Sequence, residues 1–413
     1  MGARETALNA LIACRKEGAW SNGVLKEYIQ RDRLDTRDAA LATRLCYGVL
    51  QNRIKLDFYL QQMLNGKVKD LHPAVRDILH MGIYQLYEMD KIPESAAVNE
   101  SVALAKKYCK KVRSAPGLVN AVLRNAARSQ DTIRQPRGWQ EIYSHPQALI
   151  DLLMTYVGKQ RMEPMLRANN DAPRTVIQVN TLKITAEELL NRLAEEHVEA
   201  QPHQWMRDYL VLGSTGNLEQ LPSFREGLFY VQDAAARLVA VIAAPDKEAK
   251  VLDMCAAPGG KSFSMALSME NEGEIISCDL YESRTRLIKN GAERLHLDIV
   301  KAKVNDATVF ADFGEFDCVL CDVPCSGLGI IRRKPDIKYK KTEDFSLLEE
   351  IHQTVDKREK CRKQWNEFCN PKAYRIYSII HFPSGCTGLS IPVYSNQVTA
   401  FTDSSFAYQI HAN

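Results

Sequence analysis

The strongest constraint on the fold of this chain is a short apolar run that leads into a turn of small residues. Val251–Met254 reads VLDM, CAAPGGK follows at residues 255–261, and a predicted helix runs from Ser262 to about Met269. A buried strand, a glycine-containing turn and a helix in this order are typical of the first unit of a Rossmann-like sheet. From Gly227 onward short apolar runs alternate with amphipathic segments, which predicts a doubly wound α/β domain.

Polar residues follow this strand and the next three predicted strands. The later runs, 274–278, 300–304 and 317–321, lead to Asp279, Asn305-Asp306 and Asp322. The carboxyl ends of parallel strands share one edge, where open α/β sheets bind ligands. A single aspartate there is more often a helix cap than a ligand, but the repetition predicts a binding site. Asp279 can accept hydrogen bonds from the ribose hydroxyls of a nucleotide-like ligand.

Other ligand motifs fit this region poorly. Gly260-Lys261-Ser262 reproduces the end of a phosphate-binding P-loop, but Cys255 stands where that loop requires its first glycine, and the dehydrogenase pattern G-x-G-x-x-G is absent. A metal site built from Cys318, Cys321 and Cys325 is disfavoured, because the first two would face opposite sides of a strand and no second Cys or His pair is present. We therefore expect no metal.

The first third of the chain is basic and helical in pattern. Apolar residues recur at helical spacing from Ala3 to about Arg128. Residues 1–128 carry about 21 Lys+Arg and about 13 Asp+Glu, a local charge of about +8, whereas the whole chain is only +3. A basic surface attracts phosphate backbones, so this region predicts a polyanion partner, with a solvated helical surface as the alternative.

Between about residues 131 and 225 the pattern changes to short mixed elements. Val176–Leu182 and Tyr209–Leu212 are predicted strands, and a helix capped by Thr185 is predicted to extend to His197. These elements predict a small α+β unit.

The composition also indicates in which cellular compartment the protein is expected. No run approaches the roughly 18 apolar residues of a membrane span, and the N-terminus lacks a basic stretch followed by an apolar signal core. The 11 cysteines are odd in number and several lie in apolar contexts, which favours reduced thiols over a disulfide framework. We expect a soluble cytoplasmic protein with no membrane partner.

Motifs in all three regions resemble parts of known proteins. LHPAVRDIL at 71–79 and GLVNAVLR at 117–124 resemble a NusB-type RNA-binding domain, and NTLK at 180–183 resembles a linker domain that precedes some catalytic cores. DMCAAPGGKS at 253–262 and DVPCSG at 322–327 look like the RNA cytosine-5 methyltransferases. Together they resemble the bacterial ribosomal RNA methyltransferases of the RsmB (Sun/Fmu) type.

This resemblance implies an organisation into several domains. It implies a NusB-like helical RNA-binding domain at 1–130, a small α+β RNA-binding linker domain at 131–225, and a Rossmann-like methyltransferase domain at 226–350 that is incomplete at its C-terminus. Residues 351–413 form an atypical tail. The substrate implied is one cytosine of small-subunit ribosomal RNA, and protein partners are unknown. The NusB-like portion could equally dock onto another protein.

The resemblance also implies which residues form the site. S-adenosylmethionine would be bound by Cys255, Ala256, Ala257, Pro258, Gly259, Gly260, Lys261, Asp279, Asp306 and Asp322. In the family, the aspartate at the position of Asp322 helps stabilise the activated cytosine ring. The cysteine at the position of Cys325 assists the elimination that frees the product. Arg332, Arg333 and Lys334 could hold substrate phosphates.

The chain departs from the family at the nucleophile. Cytosine C5 is a poor nucleophile, so these enzymes first add a cysteine thiolate to C6. The family supplies it from a downstream Tyr-Ser-Thr-Cys motif, where this chain has Tyr377-Ser378-Ile379-Ile380. Ile380 cannot act as a nucleophile. The remaining thiols of the tail, none in a catalytic context, are Cys361, Cys369 and Cys386.

After about Leu348 the sequence loses family character. The tail from Val355 to Asn413 shows neither the expected last helix nor the closing strands of the sheet. A frameshifted or prematurely ended reading frame would produce such a tail. We expect an exposed sheet edge and poor stability. The hypotheses are a working methyltransferase with a substitute thiol, or a catalytically inactive RNA-binding protein that retains cofactor binding.

Overall fold

The computed structural model describes residues 1–17, 20–213, 216–307, 314–322, 327–339 and 369–377, the last range only as backbone. The chain divides into two compact units. Among the described residues, the first consists of Met1–Ala172 with 327–339, and the second begins at Pro173. In the part of the chain so described, no helix has the length and apolar character needed to cross a membrane.

The first unit is helical, as its apolar periodicity predicts. Its helices are α1 (Ala3–Glu17), α2 (Ser21–Arg31), α3 (Thr36–Met63), α4 (Pro73–Glu88), α5 (Glu94–Tyr108), α6 (Ala115–Arg128), α7 (Trp139–Ile142) and α8 (Gln147–Ala168). The Asp35 side chain caps α3 by accepting a hydrogen bond from the Asp38 backbone N–H at 2.7 Å. The apolar faces of α1 to α6 form one core, in which Leu45, Ile78 and Val119 are fully buried.

The second unit begins with an antiparallel sheet. Its strands are β1 (Thr175–Val179), β2 (Ala200–Pro202), β3 (Tyr209–Leu212) and β4 (Phe229–Val231), in the order β2-β3-β1-β4. Helix α9 (Ala186–Glu195) packs on it and starts at the predicted cap, where Thr185 and Glu188 form a reciprocal capping box. The short helix α10 (Pro222–Arg225) precedes β4. This confirms the small α+β architecture, although β1 ends three residues before the predicted Leu182.

The rest of the second unit is a parallel sheet with helices. Its strands are β5 (Lys250–Asp253), β6 (Glu274–Asp279), β7 (Val300–Val304), β8 (Phe316–Cys321) and β9 (Cys369–Tyr377), in the order β7-β6-β5-β8-β9. The accompanying helices are α11 (Ala234–Ala243), α12 (Gly260–Ser268) and α13 (Glu282–Leu295). The strand order reverses at β5, which is the arrangement of a doubly wound sheet. The predicted α/β fold class is confirmed.

One strand of this sheet corrects a prediction about the tail. β9 lies within residues 351–413 and pairs in parallel with β8, with Phe316 opposite Cys369 and Cys321 opposite Tyr377. The tail was predicted to supply no closing strand and to leave the edge of β8 exposed. Residues 369–377 show that this prediction is wrong. Pairing needs only an extended backbone with free N–H and C=O groups, which a sequence without family character can still provide.

Buried polar side chains join the two sheets of the second unit. The amide oxygens of Gln178 and Gln232 both lie 2.7 Å from the Ser264 hydroxyl on α12, which donates to one of them. The Tyr209 and Tyr230 hydroxyls lie within hydrogen-bond distance of the same two oxygens. These side chains are all buried, so each hydroxyl needs one of these acceptors.

Asn180 makes a second connection within this unit. Its side-chain N–H₂ group donates to the carbonyl oxygens of Gly227 and Leu295, both at 2.9 Å, and Asn180 is fully buried. Leu295 ends α13, whereas Asn180 directly follows β1. This amide group therefore links the end of β1 to the end of a helix that packs on the parallel sheet.

We expect Asn180→Ala to lower the free energy of unfolding of the second unit by about 2 kcal/mol, because two buried carbonyl groups lose their donor. Urea denaturation monitored by circular dichroism measures the change. Thr181→Ala alters the exposed neighbour and serves as the control. An Asn180→Ala variant as stable as the control would contradict the role of this amide.

Candidate active site

The candidate site lies at the carboxyl edge of the parallel sheet. β5 ends at Asp253 and β6 at Asp279, and Asp322 directly follows β8. Asp306 follows β7 after Asn305, whose N–H donates to the Asp279 carbonyl oxygen at 3.0 Å. Since these strands are parallel, the predicted aspartates meet at one edge of the sheet.

The turn between β5 and α12 has a geometry that requires small residues. Gly259 has a φ of +110°, and a Cβ atom there would lie 2.3 Å from the Phe263 ring. The Met254 and Ala256 N–H groups donate to the carbonyls of Leu320 and Cys278 on the two neighbouring strands. The turn is thereby held across both sides of β5, and α12 begins at Gly260 with free backbone N–H groups in its first turn.

Asp253 is fully buried and only partly satisfied. Its Oδ2 accepts from the Ser262 hydroxyl at 2.7 Å, and that hydroxyl contacts the Ser277 hydroxyl at 2.8 Å. Its Oδ1 is buried without a hydrogen-bond partner among the described residues. Burial raises the pKa of Asp253 to about 6. An unused buried acceptor at a strand end is a position from which a ligand's N–H or O–H group can be bound.

Asp279 is held against the turn. Its Oδ2 accepts from the Ala257 N–H at 3.3 Å, and the Arg284 guanidinium lies 3.5 Å from Oδ1 while donating to the Ala257 carbonyl at 3.1 Å. The next two residues, Leu280 and Tyr281, are 48% and 59% exposed. The sequence analysis did not predict this apolar surface beside Asp279. Two apolar residues directly after the end of a strand could have indicated it.

Asp322 pairs with Lys261. The lysine Nζ lies 2.5 Å from Asp322 Oδ2, and the two side chains are 16% and 20% exposed. Lys261 belongs to the first turn of α12, so this ion pair joins the turn to the end of β8. The sequence analysis singled out both residues but did not predict their contact. Cys325, the predicted catalytic cysteine, lies outside the described residues.

Three regions of the chain match known protein families. Residues 1–128 match the NusB family, residues 145–219 the RsmF/B-like ferredoxin-like domain, and residues 240–364 the 16S rRNA methyltransferase RsmB/F family. The probable ribosomal RNA small subunit methyltransferase B of Bacillus subtilis (strain 168) is 37% identical over 364 residues, covering 85% of this chain and 80% of that protein. The chain belongs to the RsmB/F methyltransferase family.

A second relative and one solved structure are also similar to this chain. The ribosomal RNA small subunit methyltransferase B of Vibrio cholerae serotype O1 is 32% identical over 360 residues, covering 86% of this chain and 81% of that protein. The crystal structure of PH0851, 22% identical, superposes with a TM-score of 0.70 over 90% of this chain and 85% of that one. The latter similarity shows a shared fold.

Neither of the two thiols beside the site whose side chains the structure describes, Cys255 and Cys278, is activated in this RsmB/F member. Burial is the main cause that raises the pKa of Cys255 and of Cys278 to about 12, and neighbouring carboxylates add to it. Both are therefore protonated at neutral pH, and a protonated thiol is a weak nucleophile. Cys369 begins β9 opposite Phe316, at the other end of the sheet from Asp322.

The three-cysteine metal site that the sequence analysis disfavoured lies only partly within the described residues. No group of His, Cys, Asp or Glu among them could hold a metal ion. Cys318 is buried within β8, while Cys325 and the side chain of Cys321 lie outside the description.

The buried Asp253 predicts a pH dependence of stability. Its pKa is about 6 in the folded protein against 3.8 ordinarily, so the folded state holds the proton more tightly between these values, and stability falls as pH rises through 6. The difference in unfolding free energy between Asp253→Asn and the wild type should therefore shift in favour of the variant by about 1 to 2 kcal/mol from pH 5 to pH 7.5. Urea unfolding at both pH values tests this, with the exposed Asp246→Asn as control. If the difference in unfolding free energy between variant and wild type does not change with pH, the raised pKa of Asp253 is contradicted.

Proposed function

We propose that this chain binds S-adenosylmethionine at the carboxyl edge of its parallel sheet and methylates C5 of a cytosine in small-subunit ribosomal RNA. The observation that carries the proposal is the convergence of Asp253, Asp279 and Asp322 beside the start of α12, where Asp253 Oδ1 has no hydrogen-bond partner among the described residues. Family membership supports the reaction class. The names of its relatives support the RNA substrate.

The donors and acceptors at this edge fit the cofactor. S-adenosylmethionine presents an ammonium group and two ribose hydroxyls as donors, and the edge presents carboxylate oxygens. Asp279 would accept from the ribose, and residues 255–261, Asp306 and Asp322 would complete the site. When bound, the cofactor supplies an electrophilic methyl group.

The chain's own residues would position the base. The Lys261 ammonium holds the Asp322 carboxylate at 2.5 Å, so the aspartate cannot rotate freely. In the family resemblance, this aspartate helps stabilise the activated ring and Cys325 assists the elimination. The basic helices of residues 1–128 would bind the RNA backbone, as their charge predicts.

A second candidate function is supported by the thiols. The described cysteines nearest the site, Cys255 and Cys278, are held protonated, and the family's nucleophile position carries Ile380. A chain without an activated thiol can bind cofactor and RNA without transferring the methyl group. The alternative is therefore a catalytically inactive RNA-binding protein that retains cofactor binding.

Cofactor binding can be tested without any turnover. We expect Asp279→Asn to weaken S-adenosylmethionine binding at least about tenfold, or 1.4 kcal/mol, because a charged acceptor for the ribose is lost. Isothermal titration calorimetry on the full chain measures this, and the exposed Asp298→Asn is the control. Equal affinities for both variants would exclude this edge as the cofactor site.

Methyl transfer distinguishes the two functions. β9 places Tyr377 opposite Cys321 at the carboxyl edge, and Ile380 follows three residues later. We expect Ile380→Cys to raise transfer of labelled methyl into 5-methylcytosine of unmodified small-subunit ribosomal RNA at least about tenfold, about 1.4 kcal/mol in barrier. Ile379→Cys is the matched control.

Equal transfer by the unmodified chain and by Ile380→Cys would mean that another thiol of this chain is the nucleophile. Cofactor binding without transfer in the unmodified chain would support the inactive alternative. Label in a product other than 5-methylcytosine would overturn the proposed target atom.

A further inference from the structure

The net positive charge of the first unit's helices is concentrated in one stretch of sequence. Residues 1–100 carry 14 Lys+Arg and 13 Asp+Glu, so their charges nearly cancel. Residues 101–128 carry seven Lys+Arg and no Asp or Glu. This stretch comprises the second half of α5, the connection to α6 and α6 itself. A local excess of positive charge without counter-charge attracts polyanions.

The basic side chains of this stretch lie on the surface of the first unit. The exposed ones are Lys106, Lys107, Lys110, Lys111, Arg113, Arg124 and Arg128. Lys107 pairs with Glu5, at 2.5 Å. Among the described residues, Lys110, Lys111 and Arg113 form no ion pair. Their charges are therefore not compensated by a described carboxylate.

Helix stability accounts for only part of this charge. Lys106 and Lys107 lie in the last turn of α5, where positive side chains interact favourably with the helix dipole. Arg113 directly precedes Ser114, the N-cap of α6, and positive charge is unfavourable at that end of a helix. An anion bound there would be favoured both by the basic side chains and by the N-terminal end of α6.

A groove adjoins the exposed face of α6. Gly117, Ala121, Arg124 and Arg128 are exposed and recur at helical spacing, so they share one face of the helix. Arg124 Nε donates to the neutral Asn120 Oδ1 at 3.0 Å. Ala121 also lines an open cavity of about 480 Å³ between α6 and the loop that joins α3 to α4. The groove and the basic side chains are therefore parts of one surface.

The lining of this groove suits an uncharged ring. Its apolar walls include Leu64, Leu71 and Leu118, and two asparagine side chains add amide groups. The charged residues of the lining, Lys67 and Asp70, have opposite signs. A nucleobase has apolar faces and an edge of hydrogen-bond donors and acceptors, so it matches this lining, whereas a phosphate does not. The volume lies within the range of about 300 to 1,000 Å³ that is usual for pockets holding small ligands.

We propose that this surface binds a single strand of RNA, with phosphates on the basic side chains of residues 110–128 and one unstacked base in the groove beside Ala121. Helix α6 has 14 residues and is therefore about 20 Å long, which suits several nucleotides. A base can enter the groove only when it is unpaired, which excludes the interior of a duplex. The proposal rests on the proposed function, because it takes RNA as the partner of this chain.

The salt dependence of binding tests the phosphate contacts. Fluorescence anisotropy of labelled oligouridine, titrated with the full chain at several salt concentrations, gives the affinity and its salt slope. We expect Lys110→Gln combined with Lys111→Gln to make this slope shallower by about 1.4, because each phosphate contact on a single strand contributes about 0.7. Lys16→Gln combined with Lys91→Gln removes the same charge from two exposed residues of 1–100 and should leave the slope unchanged.

Filling the groove tests the base contact. We expect Ala121→Leu to weaken oligouridine binding at least about fivefold without changing the salt slope, because the base is excluded while every charge remains. Ala40→Leu is the matched control, since Ala40 is exposed on α3 and does not line the groove. When the oligouridine is annealed to oligoadenylate, Ala121→Leu and the unmodified chain should bind equally, because no base is free to enter.

An unchanged salt slope in the double lysine variant would overturn the phosphate surface and would favour an acidic protein segment as its partner. Unchanged oligouridine affinity in Ala121→Leu would overturn the base site. All substituted side chains are exposed, and circular dichroism checks that the helices persist. Failure of the proposed function is detected separately, as an absence of S-adenosylmethionine binding or of methyl transfer in the unmodified chain, and neither result alters the anisotropy differences between the variants.

Discussion

The parallel pairing of β5 with β6 on one side and with β8 on the other fixes where the candidate site lies. The register sets Asp253 opposite Ser277 of β6 and opposite Leu320 of β8. Asp279 and Asp322 therefore emerge beside the turn that follows Asp253. Because the strand order reverses at β5, this is the edge at which doubly wound sheets bind ligands, and α12 begins there. The turn, the contact between the Ser262 and Ser277 hydroxyls and the Lys261–Asp322 pair all depend on that pairing.

The backbone of this site was predictable from the sequence because its signals are local. An apolar run bounded by small residues predicts β5 and its turn, and the glycine at 259 is required by a φ of +110°. Contacts between side chains were not predictable in the same way. Ser262 reaches Asp253, and Lys261 reaches Asp322, only because the strands align in one register. No spacing in the sequence encodes such a rotamer-dependent contact.

In the tail, a strand of the sheet is present although the family's nucleophilic cysteine is not. β9 pairs with β8 although Cys369–Tyr377 contains Pro371 and two basic residues and has no resemblance to the family. Backbone hydrogen bonds depend little on side-chain identity, so a strand position can be filled by an unrelated sequence. A nucleophile cannot be replaced in this way, because it requires one atom type in one ionisation state. A sheet completed by β9 therefore says nothing about catalysis, which requires a thiolate beside the base.

Asp253 and Lys338 are both fully buried ionisable residues, yet their hydrogen bonding separates two roles. Asp253 keeps one oxygen without a partner among the described residues, at an edge where a ligand can approach, and an unsatisfied buried acceptor is costly until a donor arrives. Lys338 has four oxygen neighbours and no unused donor, so nothing remains for a ligand. A buried charge with spare bonding capacity points to binding, whereas a saturated one points to a structural role within its own unit.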